Sequence, residues 1–98
     1  MSRITKEMLV AEISRDTGIN RYIVDRVLNS TIDNITFLLS QGKSIQISGF
    51  GVFEPKQRAA RTGRNPHTNL PVPIPARIVP VFKAGKFLKD AVIKPQSK

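Results

Sequence analysis

The sequence predicts an α+β fold: two helices, then a small antiparallel sheet, a long two-stranded β-arm and a short C-terminal helix. Apolar residues recur every three or four positions from Ile4 to Leu39, which is the spacing of one helix face. Polar and apolar residues alternate from Ser44 to Ser48, which is the spacing of a half-buried strand. Prolines then occupy every second position from 71 to 75, so a strand can carry them all on one side.

The first helix is predicted over residues 5–16. Thr5 or Ser2 offers a side-chain oxygen that can cap its N-terminus. Gly18 is suited to end the helix, because glycine enters the left-handed conformation without a steric penalty.

The second helix is predicted from Asn20, a plausible N-cap, to Gln41, where Gly42 stops it. A helix of about 20 residues is about 30 Å long, and the apolar stripe runs its whole length. One short partner element cannot cover such a stripe, so we expect a second copy of the chain to cover it. The helical residues expected in that dimer core are Leu28, Ile32, Ile35 and Leu39.

Residues 2–30 also fit a helix-turn-helix, which would place the second helix in the major groove of DNA. Two observations favour a scaffold role instead. The first 42 residues have no net charge, and a recognition helix would keep a polar outer face where this one is apolar throughout.

Residues 44–48 are expected to form the first strand, and Gly49-Phe50-Gly51 a tight turn before the next. We interpret Phe50, Phe53 and Phe82 as core residues that also form the seam between two subunits. The arm is expected over about residues 56–75.

The proline-rich return segment has two possible structures. In a ribbon, Pro71, Pro73 and Pro75 would place their missing N–H groups along one free edge, where no further strand can pair. In a polyproline linker, the same residues would form an unpaired extended segment. The ribbon is favoured because the basic segment from Arg58 to Arg64 needs a partner strand to extend into solvent.

The charge distribution indicates a polyanionic partner. Residues 1–42 carry five basic and five acidic side chains, which cancel, whereas residues 43–98 carry eleven basic and two acidic ones, an excess of nine. The whole net charge of +9 therefore lies in the second half of the chain. Such a one-sided basic field most often serves nucleic acid. Charge alone also fits a basic protein with no such partner.

The sequence offers no constellation typical of an enzyme, a metal site or a cofactor site. The chain has no cysteine, one histidine (His67), and acidic residues scattered over helix surfaces. Gly49-Phe50-Gly51 lacks the rest of a dinucleotide-binding pattern and precedes a strand. We therefore expect no catalysis, no cofactor and no small-molecule substrate. No signal peptide and no membrane span are expected either, because no long apolar run is present.

Asn65-Pro66 at the tip of the arm has two interpretations that the residues alone leave open. It is a common turn dipeptide. It also presents a rigid ring without an N–H donor, which suits an apolar wedge inserted between base pairs.

Four segments share a pattern with a known family: Gly49-Phe50-Gly51-x-Phe53, Arg58-x-x-Arg61-x-Gly63-Arg64-Asn65-Pro66-x-Thr68, Ile74-Pro75-Ala76, and Val79-Pro80-x-Phe82-Lys83-x-Gly85-Lys86-x-Leu88-Lys89-Asp90-Ala91-Val92. On these segments, and over nearly its whole length, the chain resembles the bacterial HU/IHF family of histone-like, DNA-bending proteins. The resemblance implies an intertwined dimer whose two β-arms wrap the minor groove of double-stranded DNA. It also implies that Pro66 is the intercalating wedge.

The same resemblance implies a set of contacts to DNA. Three arginines would line the arm, three lysines would lie on a saddle beside it, and Arg3 would lie on the body. The tip of the arm and the return strand contribute further contacts. The full set of expected DNA-binding residues is Arg3, Arg58, Arg61, Arg64, Asn65, Pro66, His67, Arg77, Lys83, Lys86 and Lys89. The return strand departs from the family in having no basic residue before Arg77, so the outgoing strand must supply most of the arm's charge.

The expected organisation is a single domain over residues 1–98. Its parts are a helical dimerisation part (1–42), a sheet with the arm (43–83), a C-terminal helix (84–92) and a tail (93–98). The expected function is sequence-tolerant bending and compaction of DNA by a homodimer. The location would be the cytoplasmic nucleoid of a bacterium, with the gene bacterial or carried by a phage or mobile element.

Two alternatives stay open. A site-specific, IHF-like DNA-bending factor would share the whole scaffold. A protein-interaction module would instead dock its proline-rich segment, residues 70–80, on a partner.

Overall fold

A computed structural model describes residues 2–93, and it confirms the α+β fold. The elements, in chain order, are α1 (Lys6–Thr17), α2 (Arg21–Ser40), β1 (Ile45–Ile47), β2 (Gly51–Arg58), β3 (Arg61–Arg64), β4 (Pro71–Ile74), β5 (Arg77–Ala84) and α3 (Lys86–Ile93). Of the expected tail, Ile93 ends α3, and residues 94–98 lie outside the described residues. The chain divides into two compact units, residues 1–37 and 38–98, each considered by itself below.

Side-chain caps set the limits of the first two helices. Thr5 accepts a hydrogen bond from the Met8 N–H through its hydroxyl oxygen, 3.3 Å away, and thereby caps α1. Gly18 ends this helix with a φ of 74° and donates its N–H to the Ser14 carbonyl. Asn20 caps α2, because its Oδ1 accepts the N–H of Tyr22 at 2.7 Å.

The sheet has the order β1-β2-β5, and both pairings are antiparallel. Phe53 of β2 lies opposite Phe82 of β5, and their ring centroids are 4.7 Å apart. Phe50 also lies against Phe82, at 5.3 Å, so the three phenylalanines form one cluster. A side chain at Gly51 would lie 2.5 Å from the Lys83 carbonyl oxygen and 2.6 Å from the Phe82 ring, so only glycine lets β2 and β5 approach this closely.

The pairing of β2 with β5 continues past the residue at which the arm was expected to begin. The ladder passes through Pro55 opposite Pro80 and ends at Arg58 opposite Arg77. Alternate pairs in an antiparallel ladder exchange no backbone hydrogen bonds. Two prolines can face each other only at such a pair, because neither has an N–H to donate.

The arm beyond this point is a separate two-stranded sheet of β3 and β4. The N–H of Asn65 donates to the Leu70 carbonyl at 3.0 Å, which makes that pair a hydrogen-bonded one. By alternation, Pro71 and Pro73 then lie at pairs that exchange no backbone bonds, opposite Arg64 and Thr62. The ribbon prediction is thus confirmed for Pro71 and Pro73, whereas Pro75 lies just beyond β4, and the polyproline linker is wrong for this segment.

Much of the apolar surface of the single chain is uncovered. Within residues 2–93, Val10 and Val24 are the only apolar side chains that are buried. Of the expected dimer core on α2, Leu28, Ile35 and Leu39 are half-buried and Ile32 is exposed.

In helix α3 the Phe87 side chain is 79% exposed. Leu88 is half-buried on the same helix, whereas Val92 and Ile93 are exposed. The described residues of the single chain leave these apolar side chains uncovered.

No helix within residues 2–93 is long and apolar enough to cross a membrane. The same range contains no cluster of three or more His, Asp or Glu side chains that could hold a metal ion.

Candidate nucleic-acid interface

The ribbon of β2 and β5 has one apolar face and one basic face. Side chains alternate between the two faces of a strand, and paired residues share a face. One face carries the aromatic and proline pairs, Phe53 with Phe82 and Pro55 with Pro80, followed by Ile78. The opposite face, called the basic face below, carries the charged residues Glu54, Lys56, Arg58, Arg77 and Lys83, interleaved with Val52, Val79 and Val81.

The basic face holds one internal ion pair. The Nζ of Lys83 lies 2.9 Å from Oε1 of Glu54. The hydrogen bond from Lys83 lowers the pKa of the Glu54 carboxyl, and the charge of Lys56 acts in the same direction. The same hydrogen bond raises the pKa of Lys83. Glu54 therefore pairs with Lys83, whose side chain is otherwise exposed to solvent.

Three arginines surround a hollow where the sheet ladder ends and the arm begins. Arg58 and Arg77 are directly opposite each other at the end of the ladder, and Arg61 starts β3 three residues later. The hollow measures about 310 Å³ and is lined by Arg58, Ala59, Arg61, Ile74, Pro75 and Arg77.

The tip of the arm is a compact turn that leaves Pro66 exposed. Oδ1 of Asn65 accepts the N–H groups of His67 at 2.8 Å and Thr68 at 3.4 Å. The Asn69 N–H donates back to the Asn65 carbonyl at 2.7 Å, and Asn69 adopts a φ of 58°. Asparagine tolerates this left-handed conformation better than most residues do. Asn65 thus organises the turn from which the Pro66 ring projects.

Arg64 and His67 were expected to contact DNA, and both also form hydrogen bonds within the turn itself. Nη1 of Arg64 donates to the Asn69 carbonyl at 3.0 Å and closes the tip from the outgoing strand. The backbone of His67 takes part in the Asn65 turn, and its side chain is exposed.

The remaining expected contacts are not among the residues that line the hollow. Lys86 and Lys89 are exposed on α3. Arg3 precedes α1 in the other compact unit and is exposed.

A family model described as "Bacterial DNA-binding protein" matches residues 4–93 of the chain. The chain belongs to this family.

Curated relatives in the bacterial DNA-binding family match the chain over most of its length. DNA-binding protein HU of Lactococcus lactis is 45% identical over 87 residues, which is 89% of this chain and 96% of the relative. DNA-binding protein HU-beta of Pseudomonas aeruginosa is 45% identical over 89 residues, which is 91% of this chain and 99% of the relative.

Solved structures of the family share the fold. The HU–DNA cocrystal structure from Anabaena has a TM-score of 0.87 at 37% identity, covering 94% of this chain and all of that one. HU from Thermotoga maritima has a TM-score of 0.66 at 28% identity, covering 91% of this chain and 98% of that one.

Within this member of the family, Lys56 is a basic-face residue that sequence reasoning missed. It lies opposite Val79, shares a face with Arg58 and Lys83, and is half-buried. The signal was the two-residue step from Lys56 to Arg58, which puts both on one side of a strand.

Proposed function

We propose that the chain is a homodimeric architectural protein that bends and compacts double-stranded DNA with little regard to sequence. The observation that carries this proposal is the set of four cations on the basic face of β2 and β5, which leads to an arm with an exposed proline at its tip. The Anabaena relative was crystallised with DNA, which supports the same partner for this chain.

Phosphate contacts supply most of the affinity in this proposal. Lysine and arginine side chains on the basic face and the arm neutralise phosphates and release condensed counterions, so affinity falls steeply with salt. A two-stranded ribbon is thin enough to follow a minor groove about 6 Å wide, which a helix cannot enter. Arginine suits this groove because its guanidinium is planar and weakly hydrated.

Pro66 supplies the bend. Its ring has no N–H to satisfy and is held at the apex of a turn closed by Asn65. An apolar ring inserted between base pairs unstacks them and kinks the duplex, at a cost of a few kcal/mol for each step. DNA that is already nicked or bent lowers this cost, so we expect such DNA to be preferred.

A second copy of the chain covers the exposed apolar surfaces. The helical unit contains an apolar groove of about 190 Å³ whose lining includes Ile19, Ile23, Val27 and Leu28. Farther along the chain, Ile32 and the Phe50–Phe53–Phe82 cluster are incompletely covered. Exposed apolar patches are typical of protein interfaces, and two-fold homodimers are the commonest soluble oligomers.

The proposed role is binding without catalysis, and it needs neither a cofactor nor a small-molecule substrate. The corresponding location is the bacterial nucleoid, where the polyanion is genomic DNA.

Gel-shift titrations at several salt concentrations, with linear and nicked duplexes of one sequence, test the proposal. We expect tighter binding to nicked DNA and an affinity that falls steeply with salt. Competition between random and selected duplexes then measures sequence tolerance. Weak binding at moderate salt, or strong discrimination between random and selected duplexes, would refute the corresponding part of the proposal.

A further inference from the structure

The backbone of Asn69 is held on both sides by residues of the outgoing strand of the arm. Nη1 of Arg64 donates a hydrogen bond to the Asn69 carbonyl oxygen at 3.0 Å, and this bond is called the Arg64 clamp below. The N–H of Asn69 donates to the Asn65 carbonyl at 2.7 Å. Residues 65–69 therefore form a closed loop that contains Pro66.

The Arg64 clamp acts on a residue whose backbone conformation is unfavourable by itself. The φ of Asn69 is 58°, and within residues 2–93 Asn69 is the one non-glycine residue with a positive φ. Asparagine tolerates the left-handed region better than most residues do, but its Cβ still meets a steric cost there that glycine avoids. Such a conformation persists only where the surrounding structure fixes it.

The Arg64 clamp can fix this conformation because the direction of a carbonyl oxygen depends on the dihedral angles of its own residue. Rotation of Asn69 into the extended or right-handed region would turn its carbonyl away from the Arg64 guanidinium. The hydrogen bond therefore favours the left-handed state of Asn69 over its alternatives.

The conformation of Asn69 also determines how the tip presents Pro66. The Asn65 side chain orders the loop on the far side of the proline, through the N–H groups of His67 and Thr68. The bond from the Asn69 N–H to the Asn65 carbonyl orders the loop where the chain turns back toward β4. A ring that has to enter between base pairs inserts at a lower cost when its position is fixed before binding.

We propose that Arg64 is a positioning residue for DNA bending, which fixes Asn69 in the left-handed conformation and thereby holds the loop that presents Pro66. The sequence-based expectation was a direct contact from Arg64 to DNA, whereas here its guanidinium acts through the Asn69 carbonyl. The Arg64 clamp itself is a property of the free protein. Its consequence for DNA rests on the proposed function.

The first experiment measures solvent exchange of the Asn69 amide by NMR in 15N-labelled full-length protein without DNA. Relative to an unstructured peptide of the same sequence, exchange in Arg64→Gln should be about three- to tenfold faster than in wild type, the value of one hydrogen bond. Arg61→Gln removes the same charge from the same strand and should keep the wild-type rate. Equal rates in wild type and Arg64→Gln would overturn the Arg64 clamp.

The second experiment measures the bend of a linear duplex by energy transfer between dyes at its ends, at saturating protein. Arg64→Gln should lose at least half of the bend that Pro66→Ala loses. Asn69→Ala keeps Arg64 and the net charge, but it should lose bend as well, because alanine disfavours the left-handed conformation. Asn69→Gly in the Arg64→Gln background should restore the bend, because glycine adopts this conformation without help.

A direct contact from Arg64 to a phosphate predicts a different pattern. Asn69→Ala would then bend DNA normally, and Asn69→Gly would restore nothing to Arg64→Gln. Arg64→Gln would also lower the slope of log affinity against log salt by about one, as we expect of Arg61→Gln. Any of these three outcomes for the Arg64 and Asn69 variants would overturn the positioning role.

The two proposals fail in different ways. Faster Asn69 exchange in Arg64→Gln, together with no bending by wild type, would refute the proposed function and leave the Arg64 clamp standing. Bending that is equal in wild type and Arg64→Gln, together with unchanged Asn69 exchange, would refute the Arg64 clamp and leave the proposed function standing.

Discussion

Lys83 Nζ lies 2.9 Å from Oε1 of Glu54 on the basic face of the ribbon, so a carboxylate already occupies one of the cations proposed to meet DNA. Glu54 and Asp90 are the only two acidic residues after position 42. The Glu54 carboxylate therefore competes with DNA phosphates for Lys83.

Glu54→Gln should raise the affinity for duplex DNA by roughly two- to fivefold at low salt, the range expected for an exposed ion pair. The reason is that Lys83 no longer has to leave a carboxylate in order to reach a phosphate. Fluorescence anisotropy with a labelled duplex measures the change. Asp90→Asn changes the net charge equally and is the matched control, so an equal gain in both variants would contradict the specific role of Glu54.

The same ion pair predicts a pH dependence of stability. The pKa of Glu54 is lowered by Lys83, so its contribution is present above the unfolded-state pKa and is lost as the pH falls through the folded-state value. The pKa of Lys83 is raised, so its contribution is present below the unfolded-state pKa and is lost as the pH rises through the folded-state value. Melting temperatures of wild type and Glu54→Gln should therefore differ most near neutral pH and converge in acid. A constant difference across the acid range would argue against this pairing.

Pro66→Ala should keep binding to pre-bent or nicked DNA and lose the bending of a linear duplex. Apolar wedges kink DNA by about 20–90°, so we expect the bend angle to fall by at least about 20° for each arm. Energy transfer between dyes at the two duplex ends measures the angle. Pro73→Ala removes a proline from β4 instead of the tip and should leave the bend unchanged. An unchanged bend in Pro66→Ala would exclude the wedge.

Lys56→Gln should weaken binding to all duplexes alike, because a lysine facing phosphates carries no sequence information. The slope of log affinity against log salt should fall by about one, since one phosphate contact is lost. Gel shifts on several unrelated duplexes at several salt concentrations supply both values. A loss confined to one sequence would point to base contact instead.

Gly51→Ala should destabilise the fold by about 1–3 kcal/mol, the usual cost of overpacking. The added methyl group would lie 2.5 Å from a backbone oxygen and 2.6 Å from the Phe82 ring, neither of which can move freely. Gly63→Ala is the control, because its methyl group meets Cδ1, the flexible end of the Ile74 side chain. Urea denaturation at equal protein concentration compares the two, and we expect the smaller loss for Gly63→Ala.

Ile32→Ser should weaken the dimer by about tenfold or more, because burying such an apolar side chain is worth about 1.5–3 kcal/mol. Ile32 is 47% exposed in the single chain and lies within the α2 stripe assigned to the second copy. Sedimentation equilibrium gives the dissociation constant. Asp33→Ser changes the next residue, which lies on another face of the helix, and should leave the constant near wild type. A wild-type chain that stays monomeric at micromolar concentration would refute the dimer.

Features with local causes could be predicted from the sequence. Helix α1 was expected over residues 5–16 and is found at Lys6–Thr17, because Thr5 and Gly18 determine its ends within a few neighbouring residues. Helix α2 begins and ends within about one residue of its expected limits for the same kind of reason. The proline-edged β4 was also correct, since the two-residue spacing of its prolines is a property of one strand.

Features that depend on the register of distant strands could not be predicted. The ladder of β2 and β5 passes through Pro55 because Pro80, 25 positions later, falls at the same pair. The hollow among Arg58, Arg61 and Arg77 likewise needs the register to be known. The exposure of Phe87 could not be inferred from helix spacing, because spacing identifies an apolar face but not the chain that covers it.

The two faces of the β2–β5 ribbon should leave a period-two signature in a saturation mutagenesis experiment. Substitutions at 53 and 55 of β2 and at 78, 80 and 82 of β5 fall on the apolar face and should lower thermal stability and dimer yield. Substitutions at 56 and 58 and at 77 and 83 fall on the basic face and should spare folding while they reduce retention on immobilised DNA. Two selections on one variant library, for protein abundance and for DNA retention, should therefore rank alternate residues of the same strands in opposite order.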